Sequence, residues 1–327
     1  MISRRRIVLA LGAGALAPFA VLAQQAAKVF RIGFLGATSA SGSASRVEAL
    51  RAGLRDLGYV EGKNIAFEFR WSEGNYDRLS ELAAELVRLK VDVIVTSATP
   101  VVEAAKHATS TIPIVMATTA DAVGTGLVDS LAHPGGNVTG QTMMSVELAG
   151  KRLQIVRESL PNANRIALLT LAGVGGTRML LEQLRPIAQK MKIRLVVPTI
   201  AQAEDLPGAF AVMRRERAQA LIVQSSPLSY EHRARIVELA AQHHLFAVYE
   251  TRDFPDSGGL ISYGPNNLEG FRRAAYFVDK ILKGAKPGDL PIEQPTRFEL
   301  IINMKTAKAL GIAIPPTILQ RADRVIE

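Results

Sequence analysis

The stretch Asp77-Arg-Leu-Ser-Glu-Leu-Ala-Ala-Glu-Leu-Val-Arg-Leu-Lys-Val-Asp-Val-Ile-Val-Thr-Ser-Ala-Thr99 decides the predicted fold. Apolar residues recur at intervals of three and four from Leu79 to Val87, which predicts an amphipathic helix. The continuous apolar run Val93-Ile94-Val95 is typical of a strand that is buried on both faces. A helix followed by a buried strand is the repeating unit of a parallel α/β sheet.

The same alternation extends in both directions from this stretch. Short apolar runs alternate with helical patterns from residue 29 to 117, with a further short helix predicted at 127–132, and the alternation restarts at residue 147. We therefore predict an α/β protein with two doubly wound Rossmann-like lobes and a ligand cleft between them. The predicted lobes are residues 28–143 plus 257–285 and residues 144–256 plus 286–327, with crossings near 141–147, 251–258 and 284–297.

The first residues have the layout of a secretory signal peptide, predicted over residues 1–23. Arg4, Arg5 and Arg6 precede the uncharged stretch Ile7–Ala23, which ends in small residues at the positions a signal peptidase reads. We therefore expect the rest of the chain to reach the periplasm, by either the general or the twin-arginine route.

Composition narrows the possible functions. The chain has no cysteine, which excludes disulfides, thiol nucleophiles and a lipid anchor attached to cysteine. Its net charge is +9, but the basic residues are dispersed and are not interleaved with aromatic residues, so we expect no nucleic-acid partner.

Polar side chains follow the predicted strands at the edge where parallel sheets bind ligands. Hydroxyls there can hold a small anion together with helix N-terminal amides, acidic groups can hold an ammonium, and tyrosines can form an apolar wall. Serine and threonine are also preferred helix N-caps, so each cluster has a purely structural alternative. The predicted ligand contacts are Thr38, Ser39, Ser97, Ala98, Thr99, Thr119, Asp121, Ser225, Ser226, Tyr249, Glu250 and Tyr263.

The sequence contains no convincing catalytic or metal-binding motif. The five histidines lie on predicted helices or turns rather than at strand ends, and adjacent His243 and His244 would point about 100 degrees apart on a helix. The G-x-S-x-G elbow of hydrolases is missing. We expect no catalytic residue, no metal and no cofactor.

Several longer motifs together identify a family resemblance. They are Gly53-Leu-Arg-Asp-Leu-Gly-Tyr-Val-Glu-Gly-Lys-Asn64, Arg70-Trp-Ser-Glu-Gly-Asn75, the run from Leu79 to Val95, Gly124-Thr-Gly-Leu-Val128, Pro134-Gly-Gly-Asn-Val-Thr-Gly140, Gly258-Gly-Leu-Ile-Ser-Tyr-Gly264 and Lys305-Thr-Ala-Lys-Ala-Leu-Gly311. The chain resembles the ABC-transporter substrate-binding proteins of the tryptophan/tyrosine type.

This resemblance implies a periplasmic binding protein of the first structural type. Such a protein captures a small organic solute, here an aromatic amino acid or another carboxylate, and delivers it to ABC permease subunits in the inner membrane. The resemblance implies no catalysis, and we expect a monomer. Two alternatives stay open: a receptor subunit that presents its ligand to a membrane sensor, and an exported enzyme.

Overall fold

The computed structural model describes residues 28–173 and 175–327, so the predicted signal peptide lies outside the described residues. No helix of the described residues is long and apolar enough to cross a membrane.

The first sheet has five parallel strands in the order β2-β1-β3-β4-β5. Its central strands are mainly apolar and mostly buried, because helices cover the two sides of the sheet. The strands are β1 (Phe30–Gly36), β2 (Ile65–Trp71), β3 (Val93–Thr96), β4 (Ile114–Met116) and β5 (Val138–Gly140).

The second sheet has eight strands, seven of them in the order β13-β12-β11-β10-β9-β6-β7, while β8 pairs with the end of β6. The strands are β6 (Arg165–Leu171), β7 (Arg194–Val196), β8 (Thr199–Ile200), β9 (Ala220–Val223), β10 (Phe246–Tyr249), β11 (Ile261–Gly264), β12 (Glu299–Asn303) and β13 (Arg324–Ile326). Only β11 and β12 pair in an antiparallel manner within the described residues.

Helices connect the strands and cover both faces of each sheet. They are α1 (Ala44–Asp56), α2 (Leu79–Arg88), α3 (Thr99–Ala108), α4 (Ser145–Ser159), α5 (Gly175–Lys190), α6 (Leu206–Arg215), α7 (Pro227–Glu231), α8 (Arg233–Gln242), α9 (Asp253–Asp256), α10 (Asn267–Leu282), α11 (Met304–Ala309) and α12 (Pro316–Leu319). Short 3₁₀ turns occur at Tyr76–Arg78, Ala203–Asp205 and Pro287–Asp289.

The five strands of the first sheet and strands β7-β6-β9-β10-β11 of the second follow the same order, as the restarting sequence pattern predicts. In the first lobe, β1 lies between β2 and β3, and in the second lobe β6 lies between β7 and β9. The strand order therefore reverses beside β1 and again beside β6. Ligands of doubly wound folds bind at these switch points, outside the carboxyl ends of the strands.

The chain crosses between the lobes three times, but the predicted second crossing at 251–258 is wrong. Strand β11 pairs with β10 and β12 in the second sheet, whereas α10 packs on α1 in the first lobe. The second crossing therefore falls between Gly264 and Asn267. The first and third crossings run side by side, because Gln141 and Glu293 form a parallel bridge.

The predicted helix at 127–132 is also wrong. Leu127 and Val128 are buried in the first lobe, yet their backbone forms turns, with Gly126 at a φ of 73°. The adjoining glycine-rich run instead contributes β5, and Gly140 has a φ of 127°. A Cβ at Gly140 would come within 2.1 Å of the Met116 carbonyl oxygen, so only glycine fits at the end of this strand.

Candidate functional site

A cavity lies between the two lobes at the carboxyl ends of their strands. Its volume is about 110 Å³, which is small beside the ~300–1,000 Å³ of sites for drug-sized ligands. Its lining comprises Arg46, Ser97, Ala98, Thr99, Pro100, Thr118, Thr119, Ala120, Met143, Leu171, Gly176, Thr177, Leu180, Gln224, Ser225, Ser226, Pro227, Glu250 and Asn267.

The first-lobe wall is a tight turn between β3 and α3. Ala98 has a φ of 68° and a ψ of 138°, a conformation that costs a non-glycine residue on the order of 1–3 kcal/mol. The turn is fixed by a hydrogen bond from the Ala98 amide to the Thr118 carbonyl, 2.9 Å long. The hydroxyls of Thr99 and Thr119 lie 3.2 Å apart, so this strand end presents a group of hydroxyls to the cavity.

The second-lobe wall is the loop after β9. The Ser226 hydroxyl accepts a hydrogen bond from the Ser229 amide at 3.1 Å and caps α7, which is the structural role that serine often has at helix starts. Neighbouring Ser225 has no side-chain hydrogen bond among the described residues, and neither does Ser97 on the opposite wall. These two hydroxyls are therefore available to a solute.

A buried ion pair forms the floor of the cavity in the second lobe. Arg152 of α4 donates from Nη1 to Glu250 Oε1 at 2.8 Å and from Nε to the Tyr263 carbonyl oxygen at 2.8 Å. The Arg152 side chain is 1% exposed, and its Nη2 has no partner among the described residues. Burial lowers the pKa of Arg152, and the Glu250 carboxylate offsets part of that fall. The pair fixes Glu250 at the edge of the cavity.

Arg46 is the cation of the first-lobe rim. It lies in the first turn of α1, and its guanidinium sits 3.7 Å from the ring centre of Tyr230 in the second lobe. Within the described part of the chain, the Arg46 guanidinium forms neither a hydrogen bond nor an ion pair. Burial lowers the pKa of Arg46, despite partly offsetting attractions from Tyr230 and from the carboxylates of Asp253 and Glu231.

The two lobes also meet beside the cavity. The Ser39 hydroxyl donates to Glu231 Oε1 across the lobes at 3.0 Å, and Tyr76 packs against the hydrophobic cores of both lobes. Together with the contact of Arg46 on Tyr230, these interactions describe lobes that are closed on each other.

The structure brings part of the predicted site together. The predicted residues that line the cavity are Ser97, Ala98, Thr99, Thr119, Ser225, Ser226 and Glu250. The predicted residues that do not line it are Thr38, Ser39, Asp121, Tyr249 and Tyr263.

These five residues have other roles. Thr38 bonds to Ser43 at 2.6 Å, and Asp121 accepts from the Gly124 amide at 2.9 Å. Tyr249 is 1% exposed and stacks on Phe254 in the core, and burial raises its pKa. Ser39 and Tyr263 make the contacts with Glu231 and Arg152 described above. The predicted tyrosine wall is therefore wrong for Tyr249 and Tyr263.

The cavity lining contains five polar residues that the predicted site did not include: Arg46, Thr118, Thr177, Gln224 and Asn267. Asn267 begins α10 shortly after the end of β11, and its Oδ1 is buried without a partner among the described residues. Arg46 lies within a helix, where a basic residue normally indicates a solvated face. Thr118 and Thr177 follow β4 and β6, so the rule that ligands bind at strand ends could have indicated both residues. The Thr177 hydroxyl donates to Gln224 at 3.2 Å.

A larger cavity, about 720 Å³ in volume, lies along the hinge rather than between the strand ends. All three crossings line it, at residues 141–143, 265–267 and 293–297. Arg273 of α10 holds Glu293 beside it through two hydrogen bonds, of 2.8 and 2.6 Å. This cavity therefore lies beside the connections between the two lobes.

Comparison with known proteins decides the family. Residues 32–326 match the family described as ABC transporter substrate binding protein. The chain belongs to this family. A cavity between two parallel-sheet lobes is where a member of this family would be expected to hold its solute.

Individual relatives agree with this assignment. A tyrosine-binding protein of Clostridioides difficile is 28% identical over 79% of this chain and 74% of its own length. A conserved domain protein of Vibrio cholerae is 28% identical, covers 91% of this chain and all of its own, and superposes with a TM-score of 0.86. An ABC domain from Streptococcus pneumoniae in complex with L-Trp is 25% identical with the same coverage and a TM-score of 0.84.

These matches confirm the predicted fold, that of type I periplasmic binding proteins with two lobes. The family and the relatives are binding proteins for solutes, so this chain is a binding protein and not an enzyme.

Proposed function

We propose that this protein is the periplasmic solute-binding component of an ABC importer. It captures a small organic carboxylate, with amino acids as the first candidates, and delivers it to permease subunits in the inner membrane. The observation that carries the proposal is the cavity enclosed between the strand ends of both lobes, where Ser97 and Ser225 present free hydroxyls. The relatives named for tyrosine and complexed with L-Trp support amino acids as the class to test first.

The mechanism follows from the positions of the cavity and the crossings. A solute that touches both walls stabilises the closed arrangement, because its contacts exist in full only when the lobes meet. The three crossings act as the hinge about which the lobes open and close. The closed form, with Ser39 held by Glu231, is then the form that docks productively on the permease.

A thermal-shift screen of amino acids and small aliphatic and aromatic carboxylates tests solute capture. A binder present at 100 times its dissociation constant adds about 2.7 kcal/mol to the free energy of unfolding. The double variant Ser97→Ala/Ser225→Ala should weaken that shift, whereas Ser80→Ala, which removes an exposed hydroxyl on α2, should preserve it. Equal shifts in the wild type, the double variant and Ser80→Ala would show that this cavity is not the solute site.

Transport and export need separate measurements. Deleting the gene should abolish high-affinity uptake of the solute found in the screen, and the full chain should restore it. A chain that lacks residues 1–23 should accumulate in the cytoplasm and fail to restore uptake. Undiminished uptake in the deletion strain would contradict the importer role.

A further inference from the structure

We propose that Arg46 is the anchor for the anionic group of the solute, and that its stacking on Tyr230 couples anion binding to closure of the lobes. This inference rests on the proposed solute-binding function and assigns one residue of the site. Arg46 lines the cavity from the first lobe, while Tyr230 belongs to α7 of the second.

The guanidinium of Arg46 has the properties of a cation that awaits a partner. It is partly buried and forms no ion pair among the described residues, although the carboxylates of Asp253 and Glu231 lie close enough to offset part of the fall in its pKa that burial causes. A guanidinium that is partly withdrawn from water loses hydration energy, which hydrogen bonds or a counter-charge can recover.

The position of Arg46 on α1 also destabilises its positive charge. Arg46 lies in the first turn of the helix, which contains no acidic residue. The positive end of the helix dipole disfavours a cation there. A carboxylate entering the cavity offsets both effects, since it pairs with the guanidinium and interacts favourably with the same helix end.

The contact with Tyr230 explains how the anion affects closure. A guanidinium over a tyrosine face is attracted to the ring, and here the ring and the guanidinium belong to opposite lobes. Two hydrogen bonds from an arginine to a carboxylate fix the plane of the guanidinium. A bound anion therefore holds Arg46 in the orientation that stacks on Tyr230.

A second arginine offers a matched control. Arg233 also lies over the Tyr230 ring, at 4.7 Å from its centre, but does not line the cavity. Its Nη1 donates to the Tyr230 carbonyl oxygen at 2.8 Å. Replacing Arg233 removes a guanidinium from the same ring without removing the proposed anion site.

The test uses calorimetric titration with a panel of L-amino acids and simple carboxylates, each matched with its neutral carboxamide. We expect the wild type and Arg233→Gln to bind an acid and to reject its amide. Arg46→Gln should raise the dissociation constant for that acid by about 30-fold or more, equivalent to about 2 kcal/mol. A change within threefold in Arg46→Gln, or an equal loss in Arg233→Gln, would overturn the proposal.

Other outcomes separate this inference from the proposed function. If the wild type binds carboxamides or sugars but no acid, the anion site is wrong and solute capture stands. If no probe binds the wild type, solute capture fails as well.

A measurement without ligand tests the unpaired state of Arg46. Arg46→Met should change the melting temperature of the ligand-free protein by no more than about 3 °C, because loss of the contact with the Tyr230 ring is offset by removal of a partly buried cation that lacks a counter-charge. A fall of more than about 3 °C would assign Arg46 a structural role and would contradict the proposal.

Discussion

The ion pair at the floor of the cavity allows a quantitative prediction about stability. Replacing Glu250 by leucine leaves Arg152 as a buried cation without a counter-charge, since the arginine side chain is 1% exposed and its Nη2 already lacks a partner. Breaking a buried pair from one side costs about 3–5 kcal/mol. At about 2–4 °C per kcal/mol for chains of roughly this size, the melting temperature should fall by on the order of 10 °C.

The other variants of this ion pair should lose less free energy of unfolding than Glu250→Leu. Arg152→Met leaves a carboxylate that borders the cavity, where water can reach it, so we expect a loss of about 1–3 kcal/mol in the free energy of unfolding. The double variant Arg152→Met/Glu250→Leu removes both charges, and replacing a whole buried pair by apolar residues is often neutral. We therefore expect the double variant to be more stable than Glu250→Leu alone.

Urea unfolding of the ligand-free protein, followed by far-ultraviolet circular dichroism, measures these differences. The only tryptophan of the chain, Trp71, stacks with Phe69 in the first lobe, so its fluorescence reports the lobe that does not contain the pair. A loss below about 1 kcal/mol in Glu250→Leu would refute the reasoning, as would a double variant that is no more stable than Glu250→Leu.

Three further predictions concern the free energy of unfolding. Gly53→Ala should destabilise the first lobe by about 1–3 kcal/mol, because the added Cβ would come within 2.4 Å of a carbonyl oxygen of α10. Gly208→Ala, where no atom lies within 4 Å of the added Cβ, should stabilise the protein by about 0.5–1 kcal/mol. The urea midpoints of the two variants measure the difference, and equal midpoints would contradict the close packing at Gly53. Ala98→Gly should raise the free energy of unfolding by up to about 1 kcal/mol, since relief of strain exceeds the added chain entropy, and a lower midpoint would show that the turn is unstrained. Burial and a hydrogen bond to Asp279 raise the pKa of Tyr59 from 10.0 to about 12. The neutral Tyr59 therefore stabilises the folded protein fully below pH 10.0, and this stabilisation is lost as the pH rises through about 12. Absorbance titrations of the wild type and of Tyr59→Phe measure the pKa, and identical curves would refute the prediction.

The repeating architecture could be predicted because its signals are local. Short stretches of sequence predict the buried strand β3 and the apolar face of α2, and the same alternation of helices and strands occurs in the second lobe. The local sequence does not determine which of the two sheets a strand joins. Strand β11 was predicted in the first lobe, yet its partners β10 and β12 lie in the second, and that choice depends on tertiary packing.

The same distinction separates the predicted and the missed parts of the site. Ser97, Thr119 and Ser225 lie in the loops that follow strands β3, β4 and β9, so the rule that ligands bind at strand ends predicts them. Arg46 becomes interpretable only through Tyr230, which is distant in the chain, and through the missing acidic partner. Tyr249 was misplaced because it ends a strand, but its ring lies on the core side against Phe254.

The most direct test of the account is a crystal structure of the protein with the acid that binds most tightly in the titration panel. We predict electron density for the solute between the loops after β3 and β9, with the lobes closed and the anionic group within about 3 Å of the Arg46 guanidinium. Density for the solute in the hinge cavity, or in the cleft with its anionic group directed away from Arg46, would contradict this prediction.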